Sequence, residues 1–185
     1  KLLALPQPGG PSVEAAAKDG DATRFKLPRP LLDRPGMDMS FSGLKTAVLR
    51  TVQKYQPDID RPADMLPGDD NTRPQRQLHP RTVADLAASF QASVIDVLVD
   101  KTARASTEHE VKGVLMAGGV AANRPLRVRM RETLSVPLRM PPVSLATDNA
   151  TGVGVVGAWA LERGQRSDWD LDVVPGLRLS EEPGA

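Results

Sequence analysis

Cysteine is absent from the 185-residue sequence, histidine occurs only twice, and aromatic residues make up 3% of it. The lack of cysteine excludes disulfides and thiolate metal sites and is consistent with a reducing compartment, so we expect a cytoplasmic protein. His79 and His109 are not spaced as a helical ligand pair, and we expect both to be ordinary surface residues. No Ser-His-Asp or Cys-His arrangement and no Walker-type glycine loop is found, which argues against triad hydrolases and P-loop enzymes.

A large charge imbalance and long apolar runs are also missing. The formal net charge is +1, so the composition gives no sign of a nucleic-acid partner and any RNA contact must be local. No run of 18 apolar residues and no secretory leader is present, so neither a membrane span nor an export signal is predicted. Because the chain opens at Lys1 without an initiator Met, we expect it to be truncated.

Helices and short strands alternate along the second half of the chain, and an apolar content of 40% is enough for a buried core. This alternation favours a layered α/β fold. Five proline residues and many charges between 56 and 80 indicate an irregular insertion or mobile loop. Apolar spacing predicts helices over 13–18, 43–55, 82–104, 126–134 and 150–163, and strands over 111–117 and 136–140.

Local patterns refine this outline. Thr82 and Asp85 match the capping box that begins a helix. Lys1–Leu5 is helix-like, and Trp169 and Leu171 are predicted to anchor an irregular tail by packing.

The most suggestive local pattern is the glycine turn that follows the predicted strand. Gly118-Gly119 lets the backbone approach a ligand without an intervening Cβ, and the next helix offers free N–H groups. Asn123 can donate to and accept from a ribose or an amide. The alternative is a plain tight turn in which Asn123 caps the helix.

Two further positions carry similar alternatives. Gly9-Gly10 can cradle a phosphate or nucleoside, or it can form an ordinary turn between prolines. Asp148 lies at the mouth of a helix, where its carboxylate can bind a hard or borderline metal. Thr147 and Asp148 can equally serve as a helix cap.

Five motifs together, in this order, resemble the tRNA N6-adenosine threonylcarbamoyltransferase family. The glycine-Asn and Thr-Asp-Asn segments are the most specific of them. The motifs are Pro8–Pro11, Phe25–Pro30, Ser40–Thr46, Met116–Arg124 and Thr147–Asn149.

The resemblance implies an α/β fold of the actin-like ATPase (ASKHA, ribonuclease H-like) type. This chain would be mainly the C-terminal lobe, with a mixed sheet and flanking helices. The implied order is 1–55 for the inter-lobe region and start of that lobe, 56–80 for the proline-rich insertion, 81–175 for the lobe itself and 176–185 for a tail.

The implied activity is transfer of a threonylcarbamoyl group from threonylcarbamoyl-adenylate to N6 of the adenosine beside the anticodon. The tRNAs concerned read codons that begin with A. The implied partners are tRNA, the adenylate and companion subunits of the transfer complex, the TsaB- and TsaE-like proteins, with no membrane.

Site residues follow from the same resemblance. Asp148 resembles the metal-ligating aspartate of the family, whose metal is iron or another divalent ion. Asn123 and Gly10 resemble its adenylate contacts, and Glu14 falls where some members place an acidic ribose contact. No residue is assigned a catalytic role.

The chain departs from the family in lacking the N-terminal lobe, which carries a helical histidine pair and a glycine-rich adenylate loop. We therefore expect the isolated chain to be inactive. The alternatives are a non-catalytic platform paralogue of the same tRNA-modifying complex and, less favoured, a glycoprotein endopeptidase.

Overall fold

Helices dominate the computed structural model, which describes residues 2–55, 78–169 and 172–173. The chain divides into two compact units, residues 1–147 and residues 148–185. The predicted mixed α/β class is confirmed, whereas the predicted domain boundaries stay predictions. The elements in chain order are α1 Gly9–Ala17, α2 Leu44–Tyr55, α3 Pro80–Glu108, β1 Val114–Leu115, α4 Arg124–Thr133, β2 Leu138–Arg139 and α5 Ala150–Glu162.

The 29-residue helix α3 is the scaffold of the first unit. It begins at Pro80, where a missing N–H costs no helical hydrogen bond, and His79 Nδ1 accepts the Arg81 N–H at 3.2 Å. The predicted capping box at Thr82 is therefore wrong, because the helix has already begun. By length and composition α3 can cross a membrane, yet 56% of its apolar window is buried within the chain, as in the core helix of a folded domain.

Helix α1 packs against α3 through small side chains. Ala17 contacts the buried Ala87 and Ala88, and just beyond α1 the chain crosses α3 at Gly20. A Cβ built on Gly20 would lie 2.1 Å from the Ala84 carbonyl oxygen, so only glycine permits this approach. Helix α1 begins four residues before the predicted start at Val13, because a proline in the first turn is tolerated.

Two apolar clusters flank α3. On one side, α2 places its predicted apolar stripe against α3 and the 25–27 segment, burying Phe25, Leu27, Leu44, Val48, Val52 and Leu86. On the other side, α4 packs onto α3 through Ile95, Val99, Leu126 and Met130. These contacts confirm the helical spacing that was predicted for α2, α3 and α4.

The strands are shorter than predicted and form one parallel pair. β1 and β2 pair with Val114 opposite Leu138, and each has only two residues. Leu115 is 81% exposed, although a buried strand was predicted. Since successive strand residues face opposite ways, a pair that is packed on one side leaves every second side chain uncovered.

A buried lysine fixes the proline-rich loop that precedes α2. Lys101 of α3 is 1% exposed, and its Nζ donates to the carbonyl oxygens of Arg34 at 3.0 Å and Gly36 at 2.8 Å. Gly36 has φ +88°, a backbone conformation that favours glycine. The lysine therefore holds a loop whose own conformation is unfavourable for most residues.

A buried carboxylate fixes the segment that links α1 to Phe25. Asp85 is 1% exposed; it accepts the Asp21 N–H at 2.7 Å and pairs with Arg24 at 2.6 Å and Arg81 at 3.1 Å. The backbone hydrogen bond from Asp21, followed by the hydrogen bond from Arg24, lowers the pKa of Asp85 below its ordinary value of 3.8. Asp85 is thus a tertiary anchor and not a helix cap.

Acid should weaken the fold through Asp85. Because the folded pKa lies below 3.8, the ionised carboxylate stabilises the fold above that pH, and the contribution is lost as pH falls from 3.8 through the folded pKa. Asp85→Asn should lower the free energy of unfolding at pH 7 and reduce its fall between pH 5 and pH 2. Denaturant titrations at several pH values measure both effects.

The matched control is Asp96→Asn, which removes a more exposed carboxylate on α3 that pairs with Arg29 at 2.7 Å. It should change the stability at pH 7 less than Asp85→Asn does. Equal acid dependence in the parent and the Asp85→Asn protein would show that Asp85 does not carry the effect.

Three expectations for the chain ends and the insertion have different outcomes. Residues 2–5 form a turn followed by irregular chain in which Ala4 has φ +52°, so the predicted helix over Lys1–Leu5 is wrong. Trp169 is fully exposed and anchors nothing, contrary to the prediction. Residues 56–77 of the predicted insertion, and Leu171, lie outside the described residues.

Candidate functional site

The glycine turn after β1 is the centre of the candidate site. Gly118 has φ +86°, so the turn requires glycine at this position for conformational reasons. Gly119 starts a short 3₁₀ helix, Gly119–Ala122, and Asn123 is the C-cap residue that follows it. A Cβ on Gly119 would meet no atom within 4 Å among the described residues, so the backbone here is open to an approaching group.

Asn123 joins the turn to α4. Its side-chain amide has two N–H donors and two acceptor positions on the oxygen, and all of these except one acceptor position are used in hydrogen bonds. Its Oδ1 accepts the Leu126 N–H at 2.9 Å, which makes it the N-cap of α4. Because the backbone N–H can only donate, this bond fixes the orientation of the amide. The Nδ2 group then donates to Glu14 Oε2 at 3.1 Å and to Gln91 Oε1 at 2.9 Å. The capping alternative is therefore confirmed, whereas a contact between Asn123 and a ligand stays a prediction.

Helix α1 supplies the opposite wall of the site. Gly10 lies in its first turn and Glu14 one turn later, so the two residues share a face of the helix. The same Glu14 oxygen also accepts the Arg124 N–H at 3.3 Å. The fold thus brings Glu14 into contact with Asn123, 109 positions away, and places Gly10 on the adjoining turn.

Glycine at position 10 is not explained by packing. A Cβ on Gly10 would meet nothing within 4 Å in the part of the chain that the structure describes, and its φ is not positive. The first N–H groups of a helix have no partner within the helix and favour negative charge. Gly9 and Gly10 supply two such groups, since Pro11 has none.

Two residues that sequence reasoning missed hold this arrangement in place. Gln91 projects from the middle of α3 to Asn123, as described above. Arg127 is buried on α4, where its guanidinium donates to the Ala121 carbonyl oxygen and, at 2.7 Å, to that of Pro141. A polar residue inside an apolar helical stretch was the available signal for Gln91. Arg127 lies one turn beyond Asn123 and had no comparable signal.

Asp148 is the first residue of the second unit. It is exposed and precedes Asn149, whose Oδ1 accepts the Thr151 N–H at 3.0 Å and caps α5. The alternative that Thr147 or Asp148 caps this helix is therefore wrong. The side chain of Asp148 stays a metal-ligand prediction.

The described residues do not by themselves complete a metal centre. Within residues 2–55, 78–169 and 172–173, no group of three His, Asp or Glu side chains is placed to hold an ion. His79 and His109 lie at opposite ends of α3 and are exposed, as predicted. A single carboxylate is too small a donor set for iron.

Known proteins resemble this chain over nearly its whole length. A family model described as TsaD, tRNA N6-adenosine threonylcarbamoyltransferase, matches residues 1–155. The protein of that name from Jannaschia sp. (strain CCS1) is 48% identical over 175 residues, which are 95% of this chain and 44% of the relative. Its counterpart from Paracoccus denitrificans is 48% identical over 184 residues, 98% of this chain and 47% of the relative.

A third relative gives the same result. The tRNA N6-adenosine threonylcarbamoyltransferase of Thermomicrobium roseum is 47% identical over 184 residues, 97% of this chain and 49% of the relative. The chain therefore spans slightly less than half the length of these curated relatives. The family model covers well over half of the chain, and the matched region includes Glu14, Gln91 and Asn123. This chain belongs to the tRNA N6-adenosine threonylcarbamoyltransferase family.

Proposed function

We propose that this chain is part of an enzyme that transfers the threonylcarbamoyl group from threonylcarbamoyl-adenylate to N6 of the adenosine beside the anticodon. In this reaction N6 forms a bond to the carbamoyl carbon and loses a proton. The bond from that carbon to the phosphate oxygen breaks, and AMP leaves with the electron pair. The observation that carries the proposal is the Glu14–Asn123 contact of 3.1 Å, beside the open glycine turn after β1 and the uncovered Gly10 at the start of α1.

The polar groups around Asn123 suit the AMP half of the donor. A ribose hydroxyl both donates and accepts, so it can enter between the Asn123 amide, which donates, and the Glu14 carboxylate, which accepts. The phosphate, which is negative, suits the N–H groups of Gly9 and Gly10 at the start of α1. The role of these residues is to bind and orient the adenylate so that the carbamoyl carbon faces the incoming amine.

The remaining features of the enzyme are proposed from family membership. The fold is of the actin-like type, and this chain forms most of one lobe. Asp148 supplies one ligand to a divalent metal, iron in our proposal, whose other ligands come from outside this chain. Such a metal polarises a carbonyl or orients a phosphate when it is bound. The enzyme acts on tRNA in the cytoplasm, with companion subunits of the transfer complex and without a membrane.

Metal content and adenylate binding test this proposal. Both are measured, by elemental analysis and calorimetry, on the 185-residue chain and on the full-length product of its gene. We expect the full-length protein to hold metal and to bind threonylcarbamoyl-adenylate, and Asp148→Ala to lose the metal because one ligand is removed. The isolated chain should hold no metal, since one carboxylate is not a site.

The control is Asp168→Ala, which removes another exposed carboxylate of the second unit. It should leave the metal content unchanged. If the full-length protein binds neither metal nor adenylate, the platform alternative replaces the enzyme. If it binds the adenylate but Asp148→Ala keeps the metal, the ligand assignment alone is wrong.

A further inference from the structure

We infer that Gln91 is a positioning residue of the adenylate site, which holds the Asn123 amide in place while the ligand displaces Glu14. The inference rests on the proposed function, because it assigns a role in that same site. Gln91 lies on α3, between the buried Leu86 and Ile95, and is itself half-buried. It is not among the predicted ligand contacts, and its hydrogen bond to Asn123 is the basis of the inference.

The two partners of the Asn123 amide differ in what else they contact. Glu14 Oε2 accepts from Asn123 Nδ2 and from the Arg124 N–H, at 3.1 and 3.3 Å, and belongs to the short helix α1. The bond to Gln91 is shorter, 2.9 Å, and comes from the long central helix. Since the amide has only two N–H groups, a ligand that accepts a hydrogen bond from one of them must displace a partner.

Displacement of Glu14 is the step that the ligand can compensate. A ribose hydroxyl that replaces Glu14 as acceptor can donate in turn to the displaced carboxylate, so the Asn123 N–H and the Glu14 carboxylate both keep a partner. Displacing Gln91 would free the amide from α3 and leave its orientation to the helix-capping bond and to Glu14 on the short helix α1. Gln91 therefore fixes the second N–H so that the first is directed at the ligand.

Two substitutions that keep the length of the Gln91 side chain distinguish the positioning role from a role in packing. Gln91→Met keeps the unbranched chain but removes the acceptor, whereas Gln91→Glu keeps an acceptor at the same distance. A role in packing alone would tolerate both. A positioning role predicts that Met weakens binding and that Glu restores part of it, the remainder being lost to repulsion between the new carboxylate and Glu14.

The test uses the full-length product of the gene, labelled with ¹⁵N at asparagine, and AMP as the probe. The Asn123 side-chain NH₂ resonances are assigned with an Asn123→Asp variant. Gln91→Met should move these resonances in the free protein and weaken AMP binding roughly 3- to 10-fold, the range expected for one neutral hydrogen bond. Gln91→Glu should bind AMP more tightly than Gln91→Met does.

Gln53→Met is the matched control, because it makes the same change at an exposed glutamine of α2. It should leave the resonances and the AMP affinity unchanged. If Gln91→Met is folded by thermal unfolding and binds AMP as tightly as the parent, the positioning role is wrong while the proposed function stands. If the parent binds neither AMP nor threonylcarbamoyl-adenylate, the proposed function fails and the role of Gln91 fails with it.

Discussion

Replacing Asn123 by aspartate is expected to abolish adenylate binding while leaving the fold intact. Aspartate caps a helix as well as asparagine does, so the bond to the Leu126 N–H survives and α4 still begins at the same place. The two donors to Glu14 and Gln91 disappear, however, and a carboxylate oxygen then faces the Glu14 carboxylate. We expect the dissociation constant for AMP to rise at least about 100-fold, since the donor to the ribose hydroxyl is lost and the new carboxylate repels Glu14.

Asn123→Ala provides the contrast for this prediction. It removes the cap together with the donors, and should therefore cost about 1 kcal/mol of stability in addition to the binding loss. Calorimetry with AMP and denaturant unfolding measure the two properties on each variant. Parent-like AMP affinity in Asn123→Asp would mean that the amide does not contact the ligand.

Replacing Gly20 by alanine is expected to destabilise the fold strongly. The new Cβ would lie 2.1 Å from the Ala84 carbonyl oxygen and 2.9 Å from the Ala88 Cβ, and neither atom can rotate away, because the first belongs to the backbone of α3 and the second is fixed to it. The chain after α1 would have to move away from α3. Overpacking of this kind typically costs about 1–3 kcal/mol, and we expect the upper part of that range.

Gly10→Ala is the matched substitution at the other end of α1. Its Cβ meets nothing within 4 Å in the described ranges, so the free energy of unfolding should stay within about 1 kcal/mol of the parent or rise slightly. AMP affinity should fall, because the ligand needs the uncovered backbone. Denaturant unfolding and calorimetry thus separate a glycine required for packing from one required for binding, and equal stability losses in the two variants would contradict the distinction.

The sequence predicted the helices of the first unit better than it predicted their ends. The apolar spacing of α2, α3 and α4 is a local property and was confirmed by the clusters around α3. The Thr82–Asp85 capping box failed because Asp85 is satisfied by distant partners, Asp21 and Arg24, which no local pattern reveals. The strands are short because their pairing depends on neighbours and not on apolar content alone.

The candidate site was predictable only in part. The family resemblance suggested Gly10, Glu14 and Asn123, and the contact between Glu14 and Asn123 brings two of them together. Their separation along the chain is bridged by α3, so the contact depends on how α1 and α4 pack on opposite parts of that helix. Gln91 was missed for the same reason, since its importance lies in a partner 32 positions away.

The double role of Asn123 limits which amino acid can occupy that position. A side chain there must place an oxygen acceptor within reach of the Leu126 N–H to cap α4 and, at the same time, present two N–H donors to the neighbouring helices. Aspartate, serine and threonine meet the first requirement without the second, whereas glutamine has the donors on a longer arm. Of the twenty amino acids only asparagine satisfies both requirements. The stability of α4 and the recognition of the ligand therefore restrict the same position to the same residue.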